Sequence, residues 1–191
     1  MGREFELKYA ATAQHLEILK VRYPGLRPIA METTYYDNAQ CDFSRLHWTF
    51  RRRMENGKSI CTLKIPAPGG ARAEFEVECE NIQDSLLLLR DEGAPLQLLL
   101  LAEGGVKPFC GARFTRLAGV LELPGCKAEL ALDEGVLLGG GRELPFREVE
   151  LELKEGSEEA LSAFAADFAS ELGLKPEPKS KVARARALAN A

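Results

Sequence analysis

The chain lacks any long apolar run. Its richest stretch, Leu96 to Ala102, is interrupted by Gln97 and falls well short of the roughly 18 residues that cross a bilayer. It also lacks an apolar amino-terminal core, because Arg3, Glu4, Glu6 and Lys8 stand where a signal peptide needs one, so a cytoplasmic location is expected. No Cys-x-x-Cys pair occurs: Cys41, Cys61, Cys79, Cys110 and Cys126 are scattered and odd in number, which speaks against a disulfide framework or a thiolate zinc site and for reduced, structural thiols. Histidine is scarce, and His15 and His47 have no metal-ligand spacing, so surface or helix roles are expected for both. Positive charge is not in excess either. With 25 Lys and Arg against 29 Asp and Glu the net charge is -4, which argues against general nucleic-acid or anionic-membrane binding.

What is present is ordinary for a soluble globular protein: 191 residues, 46% apolar and 28% charged, with no composition break. One domain over residues 1–191 is expected, with enough chain to bury a core without staples.

Strand-like alternation recurs at Glu4–Tyr9, Glu32–Asp37, Trp48–Met54, Ser59–Ile65, Arg72–Cys79, Phe114–Leu123, Cys126–Glu134 and Arg147–Lys154. The connections carry turn chemistry, as in Glu55-Asn56-Gly57-Lys58, Pro66 to Gly70, Pro124-Gly125 and Gly139 to Gly141, which suits antiparallel neighbours. Closure into a barrel would remove the exposed edges. Helices are expected over Thr12–Arg22, over Ile82–Leu101 with a break at Gly93–Pro95, from a Ser157 cap to Gly173, and over Ser180–Ala189 after the linker Pro176-Glu177-Pro178.

The strands carry a second pattern. Alternation puts Glu4, Glu6 and Lys8 on one face, and likewise Glu148, Glu150 and Glu152, with Phe5, Leu7 and Val149 opposite. Arg51 and Arg53 share a face that Arg52 does not. Lys64, the alternating run Arg72 to Glu78, Arg116 and Glu129 extend the set. A solvated outer surface would account for one such strand. Paired carboxylates with several arginines and lysines also describe a site for a metal-bound polyanion, because guanidinium forks grip phosphate oxygens and carboxylates hold the divalent ion that bridges them.

In order, Glu4-x-Glu6-x-Lys8, Thr34-Tyr35-Tyr36-Asp37, Arg51-x-Arg53, Thr62-Leu63-Lys64, Arg72-x-Glu74, Arg113-Phe114-Thr115-Arg116, Glu129 to Asp133, Glu148 to Leu153 and Ser180-Lys181-x-x-Arg184 resemble the CYTH family of triphosphate tunnel metalloenzymes almost end to end. The resemblance implies a mainly β (α+β) fold, a closed eight-stranded antiparallel β-barrel whose polar faces line a tunnel, with surrounding helices on the apolar outside. It implies Mg2+ or Mn2+ as cofactor, with Glu4, Glu6, Glu148, Glu150 and Glu152 as metal-ligand candidates. Lys8, Arg51, Arg53, Lys64, Arg72, Arg116 and Lys181 would hold the phosphates of inorganic triphosphate or of a nucleotide's triphosphate moiety. A second metal, Lys8, or a carboxylate such as Glu76 or Glu129 would orient the attacking water.

The expected activity is metal-dependent hydrolysis of inorganic triphosphate to pyrophosphate and phosphate. An adenylate cyclase or thiamine triphosphatase of the same family is the alternative, as is a non-catalytic polyphosphate- or nucleotide-binding module. Cyclase-like members often carry a His-x-Phe element near the first acidic motif, and Met1-Gly2-Arg3 lacks it, which favours hydrolysis. A further helical phosphate-binding domain, frequent in relatives, is not expected within a chain that stops at Ala191. Other residues take structural defaults: Tyr35 and Tyr36 pack, Asp37 and Asp133 form turns and Arg52 faces outward, while Arg113 either reaches phosphate or sits at a rim or outside.

Overall fold

The computed structural model describes residues 5–68 and 72–191. In chain order the elements are β1 (Glu6–Ala10), α1 (Ala13–Arg22), β2 (Arg27–Asp37), α2 (Asp42–Arg45), β3 (Thr49–Glu55), β4 (Lys58–Pro66), β5 (Arg72–Glu78), α3 (Ser85–Asp91), α4 (Gln97–Ala102), β6 (Lys107–Leu123), β7 (Cys126–Gly139), β8 (Arg142–Gly156), α5 (Glu158–Leu172), β9 (Lys175–Pro176) and α6 (Lys181–Asn190).

The strands form one antiparallel sheet of nine, ordered β5-β4-β3-β2-β6-β7-β8-β1-β9. Two expectations are corrected here. The sheet has nine strands where eight were expected, and no hydrogen-bonded pair among the described residues closes it into a barrel. The free edge of β1 is taken by the two-residue β9, where Tyr9 faces Pro176, and a proline has no N–H with which to continue a ladder. The strands β6, β7 and β8 are also longer than alternation alone suggested. Glu134-Gly135 does not end β7, because Gly135 fits a tight crossing over β6: a Cβ there would lie 2.2 Å from the Arg113 carbonyl oxygen.

Turn and cap chemistry appear where expected. Asn56 and Gly57 join β3 to β4 with φ of 48° and 88°, the positive pair a two-residue hairpin needs. Thr12 caps α1 and receives His15 into a reciprocal capping box, so His15 has a helix-end role. Ser157 caps α5, and Gly173 ends it in the left-handed region. The short α2 was not foreseen. Asp37 organises it, with Oδ1 accepting from the Phe43 amide at 3.1 Å and Oδ2 from the Ser44 amide at 3.1 Å.

Five helices cover the apolar face of the sheet. Leu16 and Leu19 of α1 and Leu161, Ala165 and Phe168 of α5 pack on Leu130, Leu132, Val149 and Leu151. Phe43 of α2, Leu86 and Leu89 of α3 and Leu98 of α4 pack on Phe50, Leu63 and Phe75. Strand alternation therefore turns the charged residues to the opposite, inner face. The sixth helix, α6, breaks this pattern by lying on the inner face, where Ala185 joins Met31, Ala112, Phe114, Leu137 and Phe146. Only a glycine admits it: a Cβ on Gly139 would come within 2.4 Å of the Ala185 carbonyl oxygen. Among the described residues no helix is long and apolar enough to cross a membrane.

Candidate polyanion and metal site

Cross-strand registry assembles the inner face row by row. Glu148 of β8 faces Asp133 of β7, and Asp133 faces Arg116 of β6. One step along, Glu150 faces Lys8 of β1, and one step further Glu152 faces Glu6 on one side and Glu129 on the other. On the far side Arg51 pairs with Thr62, which pairs with Glu76, and Lys64 pairs with Glu74.

The centre of the site is a buried ionic cluster. Asp133 and Glu148 have no exposed surface and Glu150 has 6%. Their carboxylate oxygens converge within 4.8 Å of one another. Lys181, on the first turn of α6, places its Nζ 2.8 Å from Asp133, 2.5 Å from Glu148 and 2.6 Å from Glu150. Arg116 grips Asp133 with both prongs at 2.8 Å and also binds Glu150, while Arg184 binds Glu148. Three cations thus balance three carboxylates, the condition under which buried ions are tolerated. Burial alone would push the Glu150 carboxyl up, but Lys181, Arg116 and Lys8 hold it down at about 2. Burial likewise opposes the charge on Lys181, yet Glu150, Asp133 and Glu148 raise its pKa above the ordinary lysine value, so it stays an ammonium and cannot serve as a base.

Asp133 corrects the expectation that it forms a turn: it lies in the middle of β7, wholly buried. The signal was available, since alternation from Glu129 through Ala131 puts Asp133 on the same face, but the Glu134-Gly135 pair suggested a turn. Arg184 and Glu74 are further members that the sequence reading did not single out as ligands.

The opposite wall is looser. Arg51 is 3.7 Å and Lys64 3.3 Å from Glu74, and Arg53 is 2.5 Å from Glu55 and 3.6 Å from Glu76. The Nε of Arg51 is buried without a hydrogen-bond acceptor, whereas that of Arg53 has the Glu55 carboxylate beside it. Burial, then the neighbouring Arg51 and Arg116, pull the Arg53 pKa below its usual value, although Glu55 and Glu76 oppose this. An anion placed among these guanidiniums would relieve the repulsion and supply the acceptor that Arg51 lacks.

The remaining expected residues lie outside the central cluster. Glu76 accepts from Thr62 Oγ1 at 3.1 Å, Glu152 and Glu129 share Lys154 at 2.8 and 3.9 Å, and Glu6 is exposed on β1. Arg72 sits at the sheet edge, donating to the His47 carbonyl oxygen at 2.8 Å. Glu4 lies outside the described residues. Arg113 is external, paired with Glu143 at 3.1 Å, and Arg52 faces outward to the Glu80 carbonyl oxygen. Of the thiols, Cys41 is exposed, whereas burial drives Cys110 up to about 12. Iodoacetamide at pH 8 is expected to label Cys41 and to leave Cys110 unmodified in the native protein; mass spectrometry showing Cys110 labelled as fast as Cys41 would contradict this burial.

The CYTH domain profile matches residues 2–185. The chain belongs to the CYTH domain family. Solved structures with this fold include a candidate adenylate cyclase from Bacillus halodurans, 18% identical, with a TM-score of 0.66 over 94% of this chain and 96% of that one. A Hippeastrum protein, proposed as an adenylyl cyclase and described as revealing a dominant triphosphatase activity, is 19% identical with a TM-score of 0.70 over 97% and 96%. A Pyrococcus horikoshii protein is 23% identical with a TM-score of 0.63 over 98% and 99%. At these identities the likeness is one of fold. The CYTH assignment places the ionic cluster in a family whose neighbours are named for cyclase and triphosphatase activities, and the buried Asp133, Glu148 and Glu150 form a donor set able to bind a metal.

Proposed function

We propose that this CYTH protein is a divalent-metal-dependent inorganic triphosphatase, cleaving triphosphate to pyrophosphate and phosphate on the inner face of the sheet. The observation that carries this reading is the pairing of two walls. One gathers Asp133, Glu148 and Glu150 around a cation, and the other presents the Arg51 and Arg53 guanidiniums, with the Arg51 Nε buried and lacking an acceptor. Cation and polyanion complement them in turn.

The residues fit the metal. Carboxylates are the ligands Mg2+ and Mn2+ prefer, and here the Lys181 ammonium already occupies the cation's place between them. Glu148, Glu150 and Asp133 would hold the ion, with Glu6 of β1 and Glu4 as further ligand candidates and Glu152 further along β8. When bound, the ion would neutralise phosphate charge and lower the barrier to water attack. Lys8, Arg51, Arg53, Lys64, Arg72, Arg116 and Lys181 would grip the phosphates, and fixed guanidinium and ammonium charges need no reorganisation as negative charge moves to the leaving oxygen. Lys8, Glu76 and Glu129 would orient the water. Glu76 is the best placed of the three, beside Arg53 and hydrogen-bonded to Thr62. Alanine at Glu4 and Glu6 together is expected to abolish phosphate release while circular dichroism stays native; full turnover in that variant would remove both glutamates from the metal site.

A further inference from the structure

The outer surface of the hairpin formed by α3 and α4 is apolar. Among the described residues nine large apolar side chains are exposed, and four of them, Leu87 at 65%, Leu88 at 42%, Leu96 at 59% and Leu100 at 66%, fall on this one hairpin. Single exposed leucines need no explanation, but a group of them does. Their opposite numbers are Leu86 and Leu89 of α3 and Leu98 and Ala102 of α4, which are buried in one cluster with Phe50, Leu63 and Phe75 of the sheet. Both helices therefore rest their inward side on the sheet, and the four exposed leucines share the outward side, away from the charged inner face.

Acids bracket these leucines. On α3 the outward stripe reads Asp84, Leu87, Leu88 and Asp91, the i, i+3, i+4, i+7 spacing of one helix face, and on α4 it reads Leu96, Leu100 and Glu103. Glu92 stands between the two helices. All four acids are exposed, and none of their carboxylates has a hydrogen bond or ion pair among the described residues. The only base from Asn81 to Val106 is Arg90, and it donates to the Ala94 carbonyl oxygen. Helix stability does not account for these acids. Asp84 stands at the start of α3 but makes no cap hydrogen bond, and Asp91, Glu92 and Glu103 sit at helix carboxyl ends, where the dipole disfavours negative charge.

We propose that this hairpin is a docking surface for a basic amphipathic helix of a partner protein. An apolar centre with a charged rim is the form of a surface that receives such a helix. Leu87, Leu88, Leu96 and Leu100 take the partner's apolar stripe. Asp84 and Asp91, seven residues and about 10 Å apart along α3, meet lysines or arginines at the two ends of that stripe. A second copy of this chain fits less well: the α3 stripe is acidic at both ends, so carboxylates meet carboxylates in either orientation. Anionic lipid is repelled by the same charges. The surface lies across the sheet from the ionic cluster, so the inference does not depend on the triphosphatase reading.

The test is fluorescence anisotropy with the full chain and a labelled helical peptide that carries leucines on one face between lysines spaced as Asp84 and Asp91 are, against a scrambled peptide of the same composition. Wild type is expected to bind the amphipathic peptide at least about tenfold more tightly than the scrambled one. Leu96→Gln with Leu100→Gln should weaken that binding by about tenfold, and Asp84→Asn with Asp91→Asn by about threefold with a smaller salt dependence, both variants keeping the wild-type Tm because the changed side chains are exposed. Asp84→Lys with Asp91→Lys should switch the preference to a peptide with glutamates in place of the lysines. Equal binding of the amphipathic and scrambled peptides, no binding of either, or unchanged binding in the leucine variant would overturn the docking surface. A wild-type dimer in sedimentation velocity that the leucine variant loses would give the face to a second copy, and phosphatidylcholine vesicles bound by wild type alone would give it to a membrane; either would overturn the proposed partner.

Discussion

Replacing Lys181 with methionine is expected to cost the metal-free protein about 3–5 kcal/mol, the penalty of leaving buried carboxylates without a partner. Its ammonium touches Asp133, Glu148 and Glu150 at once, and two of those three have no exposed surface. Scanning calorimetry should show the loss as a drop in Tm of roughly 6–20 °C at this chain length. Added Mg2+ or Mn2+ should recover part of it, since a cation that binds only the folded state stabilises it by mass action. A methionine variant as stable as wild type, or one indifferent to metal, would contradict the balance of charges described for the cluster. The pH dependence follows with a definite sign. Glu150 is held at about 2 against an ordinary 4.5, so its contribution is fully present above about pH 4.5 and is lost as pH falls towards 2. In the methionine variant the largest charge holding it down is absent, and acid unfolding should begin at higher pH.

Glu148→Gln is expected to lower turnover by at least about 10³-fold while the sheet stays folded, because a neutral amide is a poor ligand for a hard divalent cation and a buried metal centre supplies several kcal/mol of charge stabilisation. Glu148 also ties α6 to the sheet through Arg184, so a control is needed to separate the two roles. Arg184→Met cuts that tie without removing a carboxylate. It should lower Tm yet keep the metal-induced rise in Tm, whereas Glu148→Gln should lose that rise. If both variants kept it, Glu148 would be a structural tether.

Much of this was legible in the sequence because alternation with a period of two decides which side of a strand each residue takes. Glu148 and Glu150 on one face, and Arg51 and Arg53 on another strand's matching face, needed no coordinates. The long arms of β6 to β8 were harder to see, since Gly135 and the Pro108-Phe109 segment look like strand breakers locally and are accommodated only by what packs against them. Asp133 was misjudged for that reason. The position of α6 was hidden as well. Its repeating alanines, with Lys181, Arg184 and Arg186, describe a polar surface helix, and only the fit of its backbone against Gly139 explains why it lies on the inner face. Edge pairing is a third case: nothing in Lys175-Pro176 announces a strand, and whether the sheet closes depends on its overall twist, which no local pattern encodes.

The most direct measurement is phosphate release from inorganic triphosphate, ATP and thiamine triphosphate, each with Mg2+, Mn2+ or chelator, with cyclic AMP followed in the ATP samples. The account predicts fast, metal-dependent release from inorganic triphosphate, abolished by chelator, with slower release from the other two. Cyclic AMP formed from ATP without triphosphate cleavage, or tight triphosphate binding with no turnover under any metal, would contradict it.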